Sequence, residues 1–210
     1  HFEDADLQGA DLSNATLLDG YFYGANLSKA NLTDADLAGT DLRRTNLRQA
    51  NLRRANLQGA LMDSANLDGA SLVEADLESA YLDDASLAHA DLHEASLRGA
   101  DFRFTHLGGA NLQRANLENA NMEGANLVKA RLDSATLTMT VLYKANLSAA
   151  NLHGANLHHA VLIGTQLARA DLRKADLTEI YGPNAHLQQA WLSEANLELA
   201  NLVAADLSQA

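Results

Sequence analysis

A leucine or a close substitute stands at every fifth position of this chain, from Phe2 to Leu207, without one insertion or deletion. Of these 42 central positions, 41 hold Leu, Phe or Met, and the exception is Gly182. The positions three residues after each central residue, from Ala5 to Ala210, are nearly as uniform, because 35 of the 42 hold Ala. Asn or Asp usually lies between Ala and the next Leu, as in ANLSKANLTD. The repeat is therefore the unit from which the fold is built.

A period of five excludes the regular elements. In an α-helix, which turns by ~100° per residue, successive central residues would fall ~140° apart and leave no buried stripe. In a flat strand, an odd period would send alternate leucines to opposite faces. The chain is therefore expected to turn a corner every five residues and to point each central residue at one axis. Ten of the 13 glycines lie two residues after a central residue, where a corner with positive φ would place them.

Departures from leucine reveal how many corners make one coil. The central residues other than Leu all fall in one class when numbered modulo 20: Phe2, Phe22, Met62, Phe102, Met122 and Gly182. This clustering predicts that residues 20 apart are neighbours and that four quintets form one coil. We call the side that holds Phe2 and Phe22 face one, and faces two, three and four follow in chain order.

The whole chain resembles the pentapeptide-repeat proteins, whose motif A-(D/N)-L-x-x recurs here almost without departure. The resemblance implies an all-β fold, a right-handed quadrilateral β-helix or β-solenoid with Leu and Ala inside. It also implies four pentapeptides per coil and about ten coils. Residues 1–210 are expected to form a single such unit. Because the pattern stops abruptly at both ends, we interpret the sequence as a piece of a longer chain.

Composition narrows the classes of partner. The net charge of −12 disfavours direct contact with nucleic acid or with an anionic membrane. No apolar run reaches the ~20 residues of a transmembrane helix, and no signal peptide is visible. The absence of cysteine leaves the redox compartment open. The cytoplasm is slightly favoured, although the sequence does not decide the compartment.

One quintet departs from the pattern. Gly182 replaces the central leucine where Ile180 replaces the small alanine, so we expect the bulk of Ile180 to fill the space that Gly182 leaves. Pro183 would give up an inter-coil hydrogen bond, which a corner tolerates. A functional loop and a tolerated defect are both open interpretations of this quintet.

Face one is also unusual on its outside, because it carries nine of the ten aromatic residues. Its C-terminal half presents an apolar run on four successive coils, which predicts a partner-binding strip. The alternative is that these side chains only stabilise the sheet through contacts between coils. The predicted strip consists of Val141, Tyr143, Val161, Ile163, Tyr181 and Val203.

Face four is the most acidic side, with eight acidic residues against one basic residue, Arg98. Some pentapeptide-repeat proteins resemble B-form DNA in shape and charge and bind DNA gyrase, so an acidic rod suggests such a mimic. A solubilising surface explains the same charge. The acidic residues are Asp19, Asp36, Asp76, Glu78, Glu118, Asp176, Glu179 and Glu198.

Other charged clusters are given structural interpretations. Five arginines surround the third coil, and we call them the arginine girdle: Arg43, Arg44, Arg48, Arg53 and Arg54. They are expected to pair with acidic residues on adjacent coils, with a polyanion site as the alternative. His158 and His159 lack the spacing of a recognisable zinc site and are expected to be exposed. No metal site, cofactor or catalytic residue is expected, and no enzyme motif is found.

The sequence therefore predicts a non-catalytic scaffold or spacer that mediates protein–protein interaction or self-association through the faces of a rod. A DNA-mimicking binder of DNA gyrase or topoisomerase is the first alternative. A structural element that assembles end to end is the second. Because the family is especially abundant in cyanobacteria, the resemblance also suggests such a source.

Overall fold

Parallel pairing between residues 20 apart organises the whole molecule. The computed structural model describes all 210 residues and contains no α-helix and no extended strand. Instead, one residue in five, from Asp6 to Asp206, forms a bridge. Each bridging residue from Asp6 to His186 pairs in parallel with the residue 20 positions later. The prediction that residues 20 apart are neighbours is therefore confirmed.

Three backbone hydrogen bonds per quintet join adjacent coils. In the quintet around Leu97, the N–H of Leu97 donates to the carbonyl of Asn116 at 2.7 Å, and that of Gly99 donates to Glu118 at 2.9 Å. The N–H of Asn116 returns a bond to Ala95 at 3.0 Å. This pattern sets the coils one strand spacing apart, ~4.8 Å.

Each corner is a four-residue turn that begins at the central residue. The N–H of Ala100 donates to the carbonyl of Leu97 at 3.2 Å and closes the turn. The second turn residue, two after the central one, has positive φ in every quintet, whether it is glycine, as at Gly99, or not, as at Lys129. The predicted corner is confirmed, and its geometry is that of a type II turn.

The Asn or Asp before the central residue caps this turn. In the quintet around Leu157, the Oδ1 atom of Asn156 accepts a hydrogen bond of 3.0 Å from the backbone N–H of His158, the first turn residue. The same side chains also bond along the stack, as Asn46 Nδ2 donates to Asn26 Oδ1 at 3.1 Å. We call this the Asx position. The side chains at this position accept a hydrogen bond from the N–H of the first turn residue, which has no backbone acceptor within the turn.

The interior is a continuous column of central and small residues. From Phe22 to Ala190 these side chains are buried, and Leu97 is 0% exposed. The rings of Phe2 and Phe22 stack with their centroids 4.9 Å apart, as expected for axial neighbours on face one. Leu7 and Leu202, in the first and last layers, are only partly buried. No helix is present that could cross a membrane.

The irregular quintet keeps the same backbone. Ile180 is buried, with 3% of its surface exposed. A Cβ atom at Gly182 would lie 3.1 Å from Leu202 Cδ2 and 3.3 Å from Leu162 Cβ, so the neighbouring coils also close over the glycine. The expected loss of an inter-coil bond at Pro183 is wrong. Pro183 is the first turn residue, and the N–H of that position donates to no backbone carbonyl of another coil in any quintet.

The opposite exchange of volume occurs near the other end of face one. Two residues before Phe22, the position that is usually Ala holds Gly20. A Cβ atom there would lie only 2.7 Å from Phe22 Cε2. A large central residue is thus paired with glycine at one end, and a central glycine with a large residue at the other. At these two places the core thus accommodates a change of residue size between neighbouring inward positions.

Candidate functional site

The six residues of the predicted apolar strip lie in two adjacent columns on the outside of face one. Val141, Val161 and Tyr181 occupy Asx positions on successive coils and pair with one another through the bridges Val141–Val161 and Val161–Tyr181. The other three, Tyr143, Ile163 and Val203, are first turn residues. The fold therefore brings these residues together on one side.

Exposure increases toward the C-terminal end of this strip. The side chains from Val141 to Ile163 are half-buried by their neighbours, whereas Tyr181 is 48% and Val203 68% exposed. The ammonium group of Lys144 lies 4.7 Å from the centroid of the Tyr143 ring, a cation–π distance. Its interaction with Tyr143 also raises the pKa of Lys144. Lys144 thus adds a cation to the edge of the apolar strip.

Unused backbone donors accompany these apolar side chains. Because valine stands at the Asx position, the turn N–H groups of Tyr143 and Ile163 donate to no acceptor within the chain. One coil later, the first turn residue is Pro183, which has no N–H. A contacting group with a carbonyl or carboxylate could accept these two bonds, which would add direction to an otherwise apolar contact.

Aromatic residues in the N-terminal half of face one contact neighbours within the chain. The ring of Tyr21 stacks on His1 with centroids 4.7 Å apart. Tyr23 lies beneath two guanidinium groups, those of Arg43 at 5.9 Å and Arg44 at 5.8 Å. Tyr21 and Tyr23 are therefore engaged by neighbours within the chain.

The predicted acidic residues all lie on the outside of face four, but they differ in their partners. Asp76 accepts a hydrogen bond of 2.6 Å from Gln58, and Glu118 lies 3.7 Å from Arg98. Hydrogen bonds from the hydroxyl and backbone N–H of Thr178 lower the pKa of Asp176. Several of these carboxylates thus have a structural role in turns or between coils.

The arginine girdle is largely paired. Three arginines bond acids on adjacent coils as expected: Arg48 with Asp68 at 3.1 Å, Arg53 with Glu74 at 2.7 Å and Arg54 with Asp34 at 2.6 Å. Arg43 differs, because it bonds Asp41 of its own quintet at 2.6 Å. These exposed ion pairs favour the structural interpretation over a polyanion site.

Sequence reasoning missed a cluster on face four. The imidazole rings of His158 and His159 lie with centroids 3.9 Å apart, and Glu179 of the next coil lies beside them. One ligand atom from each of the three residues falls within 4.8 Å of the other two. The signal was available, because positions 159 and 179 differ by 20 and so occupy one column.

Comparison with known proteins agrees with this architecture. The model of the family described as pentapeptide repeats matches in eight copies over residues 1–34, 30–69, 60–99, 100–138, 140–179 and 184–210. The gap between the last two matches, residues 180–183, contains the irregular Ile180, Gly182 and Pro183. No curated protein matches the chain significantly.

Solved structures that share the fold include those of HetL and QnrB1. HetL, a pentapeptide-repeat protein involved in heterocyst differentiation regulation from the cyanobacterium Nostoc sp. strain PCC 7120, is 34% identical with a TM-score of 0.88. The alignment covers 91% of this chain and 86% of HetL. A trypsin-treated form of QnrB1, a plasmid-mediated fluoroquinolone resistance protein, is 17% identical with a TM-score of 0.53, and 92% of this chain and 89% of that one are covered. The chain belongs to the pentapeptide-repeat family and adopts its right-handed β-helix.

Proposed function

We propose that this protein is a non-catalytic interaction module, a scaffold or spacer that contacts a protein partner through the C-terminal half of face one. The observation that carries the proposal is the apolar strip from Val141 to Val203, with the unused N–H groups of Tyr143 and Ile163 beside it. Exposed apolar patches rimmed by polar groups are typical of protein interfaces. Tyrosines such as Tyr181 suit such a surface, because they offer a large contact area with a polar tip.

We further infer that residues 1–210 act as one rigid unit with a four-sided cross-section. Four quintets separate each residue from its parallel partner, which supports four sides and about ten coils. At ~4.8 Å per coil, the rod would be roughly 50 Å long. A rod of this kind can hold a contact surface at a fixed distance from whatever flanks it.

Face four is proposed to be a solubilising surface. Its charge repels other acidic molecules, and carboxylates such as Asp176 already serve the turns. A gyrase mimic would instead use this surface as a binding site.

The contact surface can be tested with one substitution and a matched control. Ile163→Glu places a charge in the strip, whereas Ala168→Glu places it on face two, and both positions are half-buried first turn residues of consecutive quintets. We expect Ile163→Glu to weaken the partner complex or the self-associated form, measured by pull-down and light scattering, because the charge would be desolvated there. Equal behaviour of the wild type and both variants would contradict the proposal.

A further inference from the structure

Two imidazoles and a carboxylate converge on the outside of face four. His158 and His159 are the two turn residues of one quintet, and Glu179 is the second turn residue of the quintet one coil later. The side chains of His159 and Glu179 are 38% and 42% exposed, so water and small ions reach their polar atoms. All three ligand atoms lie within 4.8 Å of one another.

The fold fixes the backbone beneath this cluster. His159 and Glu179 adopt the same left-handed conformation, with φ of 58° and 57°. The N–H of His159 donates to the carbonyl of Thr178 at 3.1 Å, which sets the register between the two coils. The cap from Asn156 to the N–H of His158, at 3.0 Å, holds the first turn residue. Only side-chain rotation is then required to bring the three ligand atoms closer together.

The distance between His159 and Glu179 indicates what can lie between them. Their Nδ1 and Oε2 atoms are 3.5 Å apart. This is longer than an N–H···O hydrogen bond of ~2.7–3.2 Å. Two atoms that each coordinate zinc at ~2.0–2.1 Å, at a tetrahedral angle, lie about 3.3–3.4 Å apart. The separation therefore fits a shared metal ion better than a direct bond.

We propose that His158, His159 and Glu179 form an exposed site for Zn²⁺ or another divalent transition metal ion, with water completing the coordination. Two imidazole nitrogens and one carboxylate oxygen suit such ions, whereas Mg²⁺ and Ca²⁺ prefer oxygen ligands alone. The acidic surroundings add attraction, because face four has eight acidic residues and one basic residue, a net charge of −7. This site is independent of the apolar strip on face one.

Isothermal titration of the untagged protein with zinc chloride tests the site. We expect saturable binding of one ion per chain, and no comparable binding of Mg²⁺. His159→Gln and Glu179→Gln should each weaken zinc binding by about tenfold or more, since even residues that only support metal ligands contribute ~10–100-fold. His153→Gln, on face three, is the matched control and should bind zinc like the wild type.

Thermal melts without metal will show whether each variant remains folded. The proposal is overturned if the wild type binds no zinc in a saturable manner, or if the two ligand variants bind it as tightly as the wild type and His153→Gln do. Equal affinity for Mg²⁺ and Zn²⁺ would also overturn it, because the imidazoles would then not be ligands.

Discussion

Face one and face four are built on the same backbone but are constrained differently. On face four every central residue is leucine, and Asn or Asp fills seven of the ten Asx positions. On face one the central residue varies among Leu, Phe, Met and Gly, and Asn or Asp fills only four of the eleven Asx positions. Variable residue identity inside face one thus coincides with missing turn caps and apolar side chains outside.

The inward and outward columns of the coil are subject to different structural requirements. Inside, the side chains must be buried and mostly apolar, and residue size varies in opposite ways at Gly20 with Phe22 and at Ile180 with Gly182. Outside, an Asn or Asp at the Asx position accepts a hydrogen bond from the turn. Where valine or tyrosine replaces it, this bond is lost and an apolar or aromatic side chain is presented instead. On face one this replacement occurs on three successive coils, at Val141, Val161 and Tyr181.

The largest effect is expected from a charge in the core of either face. Leu97 on face four and Met122 on face one are both fully buried. Leu97→Asp and Met122→Asp should each destabilise the fold by several kcal/mol, about 3–5, because an unpaired carboxylate would be buried. Thr138→Asp, on the surface of face four, should change stability by no more than ~0.5 kcal/mol. Denaturant unfolding measures all three, and a Met122→Asp variant that melts like the parent would show that face one is not closed.

A double-mutant cycle tests volume exchange in the irregular quintet. Ile180→Ala should cost about 2–5 kcal/mol through a cavity, and Gly182→Leu about 1–3 kcal/mol through overpacking. The double variant restores the common Ala and Leu of the repeat, so its loss should be smaller than the sum by about 2 kcal/mol. Strictly additive losses would mean that Ile180 does not occupy the space next to Gly182.

Asp176 on face four and Asp63 on face one should contribute to the pH dependence of stability with opposite signs. On face four, Thr178 lowers the pKa of Asp176, so its stabilisation is present above the unfolded pKa of ~3.9 and is lost as the pH falls. On face one, burial raises the pKa of Asp63, so its contribution is present below the unfolded pKa and is lost as the pH rises through the folded pKa.

Asparagine substitutions isolate these two contributions. At pH 7, Asp176→Asn should lower the melting temperature and Asp63→Asn should raise it. The corresponding changes in the free energy of unfolding should each be less than about 1 kcal/mol. Both differences should shrink at pH 3. Shifts of the same sign at pH 7 would show that the two carboxylates do not experience different environments.

The smallest effect is expected on DNA gyrase. If face four is only a solubilising surface, the purified protein at micromolar concentration should leave gyrase supercoiling unchanged. Inhibition that disappears when Asp76, Glu78 and Glu118 become Lys would instead assign face four as a DNA-mimicking site.

Much of the fold could be predicted from the sequence because its period is incompatible with helix and strand. The central residues that are not leucine are separated from one another by multiples of 20 residues. The pairing between Phe2 and Phe22 follows from that spacing alone. The turn caps could not be predicted, because the preference of Asn and Asp for turns does not say which backbone N–H donates a hydrogen bond to their side chains. The error at Pro183 has the same origin.

Side-chain partners were less predictable than backbone register. The period of 20 places Glu179 in the column of His159, but the orientation of the two side chains depends on rotamers that the repeat does not encode. Likewise, nothing in the sequence says that Arg43 bonds Asp41 of its own quintet while Arg48 crosses to the next coil.

Photocrosslinking from single cysteines tests the central claim most directly. The chain has no cysteine, so a photoreactive group can be attached at one chosen position. Ile163→Cys, Ala168→Cys and Thr138→Cys place it at the first turn position of faces one, two and four. In an extract of cells that carry the protein, the account predicts a discrete cross-linked product from position 163 and none from positions 168 and 138. The same product from all three positions, or products only from 168 or 138, would contradict it.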